Sequence, residues 1–160
     1  MPRKSRQSFL FNGCFAHIMA RTFESQNIFE NNQDFCVFEF MLLKKKQEFG
    51  FLVHHYCLMN NHYHLLVKIP NLVEFSLAFK GLQRKYTEYH HKKYKREGPL
   101  WRERFTSKLI QDEQYLYSCG IYIEYNPVKA NLVKSPEDWL YSSSRFYVKN
   151  EANRLVDTYR

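Results

Sequence analysis

The apolar residues of this chain change their spacing several times, and the order of these changes limits the fold. Alternating or continuous apolar runs predict strands over 8–22, 51–59, 62–69 and 101–110. Spacing by three or four residues predicts helices over 32–48, 72–95 and 112–125. The predicted order is strand, helix, strand, strand, helix, strand, helix. The apolar stripe of the second helix is formed by Val73, Leu77, Phe79, Leu82 and Tyr86.

This order of elements predicts an α+β fold, a ferredoxin-like βαββαβ antiparallel sheet with helices on one face and an added C-terminal helix. A hairpin turn at Met59-Asn60-Asn61 joins the two central strands. We expect one domain over 1–160, with a core at about 8–126 and an irregular or short-helical extension over 127–160. The second face of the sheet is expected to be free to bind a partner or to form a homodimer.

The charge of the chain favours a polyanionic partner. Its 160 residues carry a net charge of +8, and 18% of them are aromatic. Nucleic acid is the first candidate, because basic side chains contact phosphates and aromatic rings stack on bases. An anionic membrane surface is the second, but no segment is long enough to cross a bilayer.

The cysteines and the start of the chain predict a cytoplasmic, nucleoid-associated protein. Cys14, Cys36, Cys57 and Cys119 are scattered and form no CxxC pair, which favours reduced thiols in the core. The apolar run at 9–11 is too short for the core of a signal peptide.

Most of the net charge lies in one segment. Residues 80–104 include nine basic and three acidic residues, interleaved with aromatic residues and histidines, so they carry +6 of the total +8. A solvated helix face could account for such a run, but its concentration beside aromatic rings favours a surface that binds DNA. The DNA-binding candidates are Arg84, Lys85, Arg102, Arg104 and Lys108.

His62 and His64 are the residues that most clearly suggest chemistry. They lie two apart on a predicted strand, so both imidazoles face the same side and Tyr63 faces the other. Such a pair suits a metal ion, although a structural role is an open alternative. His54 and His55 are adjacent, face opposite sides and are interpreted as structural or surface residues.

The last predicted helix offers two further candidates on one face. Tyr122 and Asn126 are four residues apart, which is one helical turn. The amide of Asn126 could supply a third, neutral ligand, and the phenol of Tyr122 could attack a phosphodiester that a metal polarises. Aromatic residues on a helix are more often part of a core, so spacing alone leaves Tyr122 undecided.

Two separated segments resemble one known superfamily. The stretches YCLMNNHYHLLVKIPN and PLWRERFTSKLIQDEQYLYSCGIYIEYNPVKANLVKSPEDWLYSSSRFY are similar to the single-tyrosine HUH transposases, and HUH here is His62-Tyr63-His64. YIEYNPVKANLV with PEDWLYSSSRFY resembles the branch of REP-associated tyrosine transposases. The IS200-like, insertion-sequence branch usually has Gln where this chain has Asn126. The resemblance covers roughly 11–147.

The resemblance implies a role for each matching residue. His62, His64 and Asn126 match the ligands of Mg²⁺ or Mn²⁺, and Tyr122 matches the nucleophile that forms a 5′-phosphotyrosine. Arg104 matches a basic position, for which we expect a phosphate contact. The implied partner is single-stranded DNA with a hairpin or palindromic element, which the enzyme would cleave and rejoin.

One residue departs from the family pattern, and two other functions are considered. Asn60 stands where the family often has proline, which makes the turn less rigid but removes no ligand. A domesticated nucleic-acid binder without catalysis is the first alternative. A zinc hydrolase is the second, for which Glu124 is the only local candidate base because no HExxH motif accompanies the histidines.

Overall fold

The structure, a computed structural model, describes residues 9–159. Its strands are β1 (Cys14–Arg21), β2 (Leu52–Met59), β3 (His62–Ile69) and β4 (Thr106–Ile110). Its α-helices are α1 (Asn32–Phe49), α2 (Leu72–Tyr94), α3 (Glu113–Glu124), α4 (Asn126–Lys129) and α5 (Ser144–Lys149). Short 3-10 helices lie at Phe23–Ser25 and Pro136–Asp138.

The four strands form one antiparallel sheet in the order β2-β3-β1-β4. This order confirms the predicted ferredoxin-like arrangement. One face of the sheet, with Ile18, Tyr63 and Leu65 fully buried, packs under α1 and α2. These two helices contribute Phe38 and Phe79 to the same core. The face is apolar because alternate residues of each strand share it.

The opposite face is partly covered, whereas the sequence suggested that it would be free. Cys119 and Ile123 of α3 pack there against Cys57 of β2 and Leu66 of β3. The added helix therefore lies on the same face as the odd-numbered side chains of β1 and the even-numbered side chains of β3. This packing brings a helix rich in tyrosine against strands that carry histidine.

The helix ends follow the local sequence. Asn31 and Asp34 form a reciprocal capping box at the start of α1, and Gly50 ends the helix at a φ of 71°, in the left-handed region. The carboxylate of Asp112 accepts the backbone N–H of Tyr115 at 2.7 Å and caps α3. These caps fix where α1 and α3 begin relative to the sheet.

Three predicted details of the elements are wrong. The strand predicted over 101–110 begins only at Thr106, because the segment before it turns away from the sheet after the N–H of Arg102 bonds to the carbonyl of Arg21. The strand predicted from Ser8 begins at Cys14, and Ser8 itself lies outside the described residues. In α2, Val73 and Leu77 are 62% and 55% exposed, because the helix buries the face that contains Phe75, Ala78, Phe79, Leu82 and Tyr86.

The C-terminal extension covers the outer edge of β2. The N–H of Leu58 bonds to the carbonyl of Tyr141, and the N–H of Ser143 bonds to the carbonyl of Tyr56, both at 2.9 Å. The indole N–H of Trp139 donates to the carbonyl of Leu58. An otherwise unpaired strand edge is thereby satisfied.

The expectation of thiols in the core is met by three of the four cysteines. Cys14, Cys57 and Cys119 are free and buried, while Cys36 is free but exposed. Within 9–159, no helix combines the length and the apolar character that a membrane span requires.

Candidate functional site

Three histidines lie together on the face of the sheet that α3 covers. His62 and His64 have ring centroids 5.1 Å apart, as their spacing on β3 predicts. His17 on the neighbouring strand β1 joins them, with its Nε2 2.9 Å from Nδ1 of His64. The Nδ1 of His62 lies 2.6 Å from Oδ1 of Asn61. Both Nδ1 atoms of the predicted pair are therefore held by neighbours, and both Nε2 atoms are left without a hydrogen bond among the described residues.

Burial keeps these imidazoles neutral. It lowers the pKa of His62 to about 4, with a further contribution from the charge of Arg21. It lowers the pKa of His64 to about 2, and the neighbouring His17 and His62 add to the effect. The pKa of His17 falls to about 4 by burial and by the charge of Lys108. At neutral pH each ring nitrogen without a proton can act as a ligand or as a hydrogen-bond acceptor.

Tyr122 lies directly across from the histidines. Its ring centroid is 6.0 Å from that of His64 and 6.0 Å from that of His17. The side chain is 44% exposed, so its ring contacts the site while a substrate could still reach it. Tyr117 of the same helix is 74% exposed, and Tyr115 packs against Lys108 instead. The structure therefore separates Tyr122 from the other tyrosines of α3, which spacing alone did not.

Lys129 is a residue of this site that sequence reasoning missed. Its Nζ lies 4.1 Å from the centroid of the Tyr122 ring, within the range of a cation–π contact. Its charge also helps to lower the pKa of His64. The signal was present in the sequence, because α4 follows α3 after a single residue and a separation of seven residues is about two helical turns.

Asn126 lies one turn beyond Tyr122, at the start of α4. Its Nδ2 donates to the carbonyls of Tyr122 and Ile123, at 3.0 and 3.2 Å. The amide is half-buried, and its Oδ1 accepts no hydrogen bond from the described residues. The structure thus brings Asn126 against the backbone of the tyrosine helix, with no hydrogen bond to a histidine.

The donor atoms fit a divalent cation by their chemistry. His62 and His64 supply neutral imidazole nitrogens, and Asn126 offers an amide oxygen. Imidazole suits zinc, copper, iron and nickel best, whereas manganese and magnesium are the metals of oxygen-rich sites. Of these two, Mn²⁺ accepts imidazole nitrogen more readily than Mg²⁺ does. Among residues 9–159, no group of three His, Cys, Asp or Glu side chains is arranged to hold a metal. His17 therefore does not complete a three-histidine centre. It contacts Nδ1 of His64, which leaves Nε2 of His64 as the open nitrogen.

The predicted DNA-binding residues lie at four places on the surface. Arg84 and Lys85 are exposed on α2, away from the histidines. Arg102 lines a cavity beside His62, and Arg104 lines a separate groove along α2 with Lys80. Lys108 pairs in register with His17 on the adjacent strand. The structure thus places Arg102 and Lys108 next to the histidine cluster and the other three farther from it.

A second group of polar residues lies between β2 and α3, and it consists of His54, His55 and Glu124. A register shift interrupts β2 between Val53 and His55. The expectation that His54 and His55 face opposite sides is therefore wrong, because both rings lie against Tyr159, with centroids 4.3 and 5.9 Å away. His54 is buried, which agrees with a structural role. The Nδ1 of His55 lies 2.8 Å from the carboxylate of Glu124, which also accepts the hydroxyl of Ser143 at 2.6 Å. Glu124 is thus committed to a buried network, which weakens the interpretation of this residue as the general base of a hydrolase.

The fold and this arrangement define an α+β protein in which a helix-borne tyrosine faces a histidine cluster on the sheet. A family described as "Transposase IS200 like" matches residues 11–126. The chain belongs to this family of transposases, which supports roles in DNA binding and transposition. No curated protein matches the sequence.

Two solved structures share the fold. A REP-associated tyrosine transposase bound to a REP hairpin aligns with a TM-score of 0.72 and 17% identity, over 99% of this chain and 92% of its own. A candidate transposase from Deinococcus radiodurans R1 aligns with a TM-score of 0.50 and 19% identity, over 76% of this chain and 95% of its own. At these identities the likeness concerns the fold.

Proposed function

We propose that this transposase cleaves and rejoins single-stranded DNA beside a hairpin, through a 5′-phosphotyrosine on Tyr122. The observation that carries the proposal is the position of Tyr122, whose ring lies 6.0 Å from the ring of His64 across the gap between helix and strand. A phosphate bound between the two side chains would meet a nucleophile on one side and metal ligands on the other.

The residues proposed to hold a divalent cation are His62, His64 and Asn126. Mn²⁺ fits two imidazole nitrogens and an amide oxygen better than Mg²⁺ does, although Mg²⁺ is an alternative where it is more abundant. A cation bound there would withdraw electron density from the scissile phosphate and stabilise the leaving oxygen. The contacts of His62 with Asn61 and of His64 with His17 keep both Nε2 atoms available for this role.

The covalent step conserves the phosphodiester bond energy. The Oη of Tyr122 attacks the phosphorus and gives up its proton, the bond from phosphorus to the 3′ oxygen breaks, and that oxygen leaves as a 3′ hydroxyl after it gains a proton. The 5′ end of the other fragment is then linked to Tyr122. A second 3′ hydroxyl attacks the same phosphorus and gives up its proton, the bond to Oη breaks, and Oη regains a proton, so the DNA is rejoined without an external energy source.

The positive charge of Lys129 supports this chemistry. Negative charge develops on the phosphate oxygens and on the tyrosine oxygen during the transfer, and a nearby ammonium stabilises it. The Nζ of Lys129 lies 4.1 Å from the ring of Tyr122, so it is close enough to contact a phosphate that this tyrosine attacks. Lys108, on the other side of His17, adds positive charge to the same face of the sheet.

A hairpin as the DNA partner is supported by a structural relative. The transposase that shares the fold over 99% of this chain is bound to a REP hairpin. The excess of basic residues at 80–104 provides contacts to phosphates. We therefore expect a folded stem with an unpaired flank, and the proposal holds for a monomer as well as for a homodimer.

The test is the formation of a covalent protein–DNA adduct. The purified chain is incubated with Mn²⁺ and pooled single-stranded oligonucleotides that form hairpins with randomised flanks, and the products are separated on a denaturing gel. We expect a shifted band with the wild-type protein and none with Tyr122→Phe. Tyr125→Phe is the matched control, because Tyr125 is similarly exposed at the end of the same helix and should leave the adduct intact.

Two results would overturn the proposal. An adduct that persists in Tyr122→Phe would assign the nucleophile to another residue. Tight binding of the hairpins without any adduct, in the presence of either Mn²⁺ or Mg²⁺, would favour the non-catalytic binder.

A further inference from the structure

A cavity of about 500 Å³ opens beside His62, at the end of the sheet where β1 leaves it. Its volume lies in the range of small-ligand sites. The cavity is bounded by the end of β1, the short 3-10 helix that follows, the β2–β3 turn and the segment before β4. Its lining residues are Arg21, Thr22, Phe23, Glu24, Ser25, Asn61, His62 and Arg102.

Backbone hydrogen bonds hold the walls of this cavity together. The N–H of Thr22 donates to the carbonyl of Asn61 at 3.0 Å, and its hydroxyl donates to the carbonyl of Gln26 at 2.6 Å. The N–H of Phe23 donates to the carbonyl of Leu100 at 2.9 Å, and that of Arg102 donates to the carbonyl of Arg21 at 3.0 Å. Three separate parts of the chain are thus joined, so the cavity is formed before any ligand enters.

The floor of the cavity has an unusual backbone. Glu24 and Ser25 have φ angles of 52° and 57°, so two consecutive residues other than glycine lie in the left-handed region. Such conformations persist only where the surrounding structure holds them. Here they turn the chain sharply after Phe23 and leave its ring 39% exposed at the cavity.

The side chains combine positive charge with an aromatic surface. Arg21 and Arg102 are exposed, and neither guanidinium forms an ion pair with a carboxylate among the described residues. Arg21 is the register partner of His62, so its charge lies next to the proposed metal ligand. Glu24 supplies one carboxylate to the lining, which leaves an excess of positive charge. Arginine contacts phosphates, and an exposed ring stacks on an unpaired base.

We propose that this cavity holds one unpaired nucleotide that adjoins the scissile phosphate, with its base on Phe23 and its phosphates near Arg21 and Arg102. The inference rests on the proposed function, because the strand must pass His62 to reach Tyr122. It adds the recognition of a flanking base, which neither the histidines nor the tyrosine provides. A double-stranded segment would not fit, because its bases are paired and stacked on one another.

The experiment compares two fluorescein-labelled probes by fluorescence anisotropy without metal: a 12-residue oligothymidylate and an abasic strand of the same length. The variants are Phe23→Ala, Phe23→Tyr, Arg21→Ala and Arg102→Ala, with Lys149→Ala as the control because Lys149 is exposed on α5. Phe23→Ala should lower the affinity for the oligothymidylate roughly tenfold and leave the affinity for the abasic strand unchanged. Phe23→Tyr should restore the affinity for the oligothymidylate. Each arginine variant should lower the affinity for both probes, whereas Lys149→Ala should change neither affinity.

The inference is overturned if Phe23→Ala lowers the affinity for both probes equally. It is also overturned if the arginine variants bind the probes as tightly as Lys149→Ala does. The inference would also be overturned if the wild-type protein bound inorganic phosphate as tightly as oligothymidylate, so that phosphate displaced the probe. Tyr122→Phe separates the two proposals, because it should abolish the covalent adduct and leave this binding unchanged. An adduct formed normally by Phe23→Ala and by both arginine variants would reject the cavity and leave the proposed chemistry standing.

Discussion

His17 Nε2 lies 2.9 Å from Nδ1 of His64, and this contact joins two strands at the centre of the candidate site. The contact occupies Nδ1 of His64, so Nε2 is the ring nitrogen that remains available as a ligand. Histidine ligands in metalloproteins usually have their second nitrogen held in this way, most often by a carboxylate or a carbonyl. Here a second neutral imidazole takes that place, so His17 would be a positioning residue of the proposed metal site.

Replacing His17 should therefore weaken metal binding without removing a ligand. We expect His17→Ala to reduce Mn²⁺ affinity roughly tenfold, within the usual range for such supporting residues, and His17→Gln to lose less because its amide can still bond to His64. Free Mn²⁺ measured by electron paramagnetic resonance gives the affinity directly. His91→Ala, on α2, is the control.

The contribution of His17 would be refuted by a specific pattern. If His62→Ala abolished Mn²⁺ binding while His17→Ala bound it as tightly as the wild type, the contact between His17 and His64 would have no role in the site.

Lys129 should affect the rate of adduct formation more than DNA affinity. Its Nζ is 4.1 Å from the Tyr122 ring, where it can stabilise charge that develops during the transfer. Lys129→Met should slow the covalent step roughly 10-fold to 100-fold, and Lys129→Arg should retain part of the rate because it keeps the charge. The rate is measured under single-turnover conditions with saturating DNA.

Lys134→Met is the matched control for this effect, because Lys134 is exposed in the same C-terminal extension. Equal rates in Lys129→Met and in Lys134→Met would show that the cation near Tyr122 does not act in the reaction.

The stability of the protein should depend on pH through Asp34. This carboxylate is fully buried and accepts hydrogen bonds from Lys93 at 2.7 Å, Tyr89 at 2.8 Å and Tyr94 at 2.6 Å. Burial alone would raise the pKa of Asp34, but the hydrogen bonds from Lys93, Tyr94 and Tyr89 outweigh it and lower the pKa. The folded state therefore binds the proton less readily than the unfolded state does. The stabilisation is present above the pKa of an unfolded aspartate and is lost as the pH falls through the folded pKa.

Asp34→Asn should remove this dependence. We expect it to lower the free energy of unfolding at pH 7 by about 2 kcal/mol, less than for a fully buried ion pair because Lys93 is 24% exposed. Urea unfolding between pH 3 and pH 7 measures both effects. The role of Asp34 would be contradicted if the free energy of unfolding fell with decreasing pH by the same amount in the wild type and in Asp34→Asn.

The sequence predicted the elements that local patterns determine and missed those that depend on tertiary contacts. The pairing of His62 and His64 follows from a period of two residues, so it was predictable. The position of His17 depends on the pairing of β1 with β3, and no local pattern reports that pairing. Of the apolar stripe predicted for α2, Phe79, Leu82 and Tyr86 are buried, but Val73 and Leu77 are exposed and Phe75 takes their place in the core. The first turns of α2 are apolar on more than one side, so only packing decides which side is buried.

Gly120 permits the close approach of α3 to β2 that places Tyr122. A Cβ at this position would lie 2.6 Å from Nε2 of His55. The ring of His55 cannot easily move, because it bonds to Glu124 at 2.8 Å and stacks on Tyr147 at 4.4 Å. Gly120→Ala should therefore shift α3 outward, lower the free energy of unfolding by about 1–3 kcal/mol and slow adduct formation by displacing Tyr122.

Gly81 provides the control for this substitution. It also lies within a helix, but its added Cβ would meet only the flexible side chain of Lys45, with Cε at 3.5 Å and Nζ at 3.7 Å, which are ordinary contacts. Gly81→Ala should stabilise the protein by about 0.5–1 kcal/mol, since alanine loses less backbone entropy than glycine in a helix. If steric conflict is the cause, Gly120→Ala combined with His55→Ala should lose less stability than the two single changes predict when added. Additive losses measured by thermal and urea unfolding would show that Gly120 does not set the distance between α3 and the sheet.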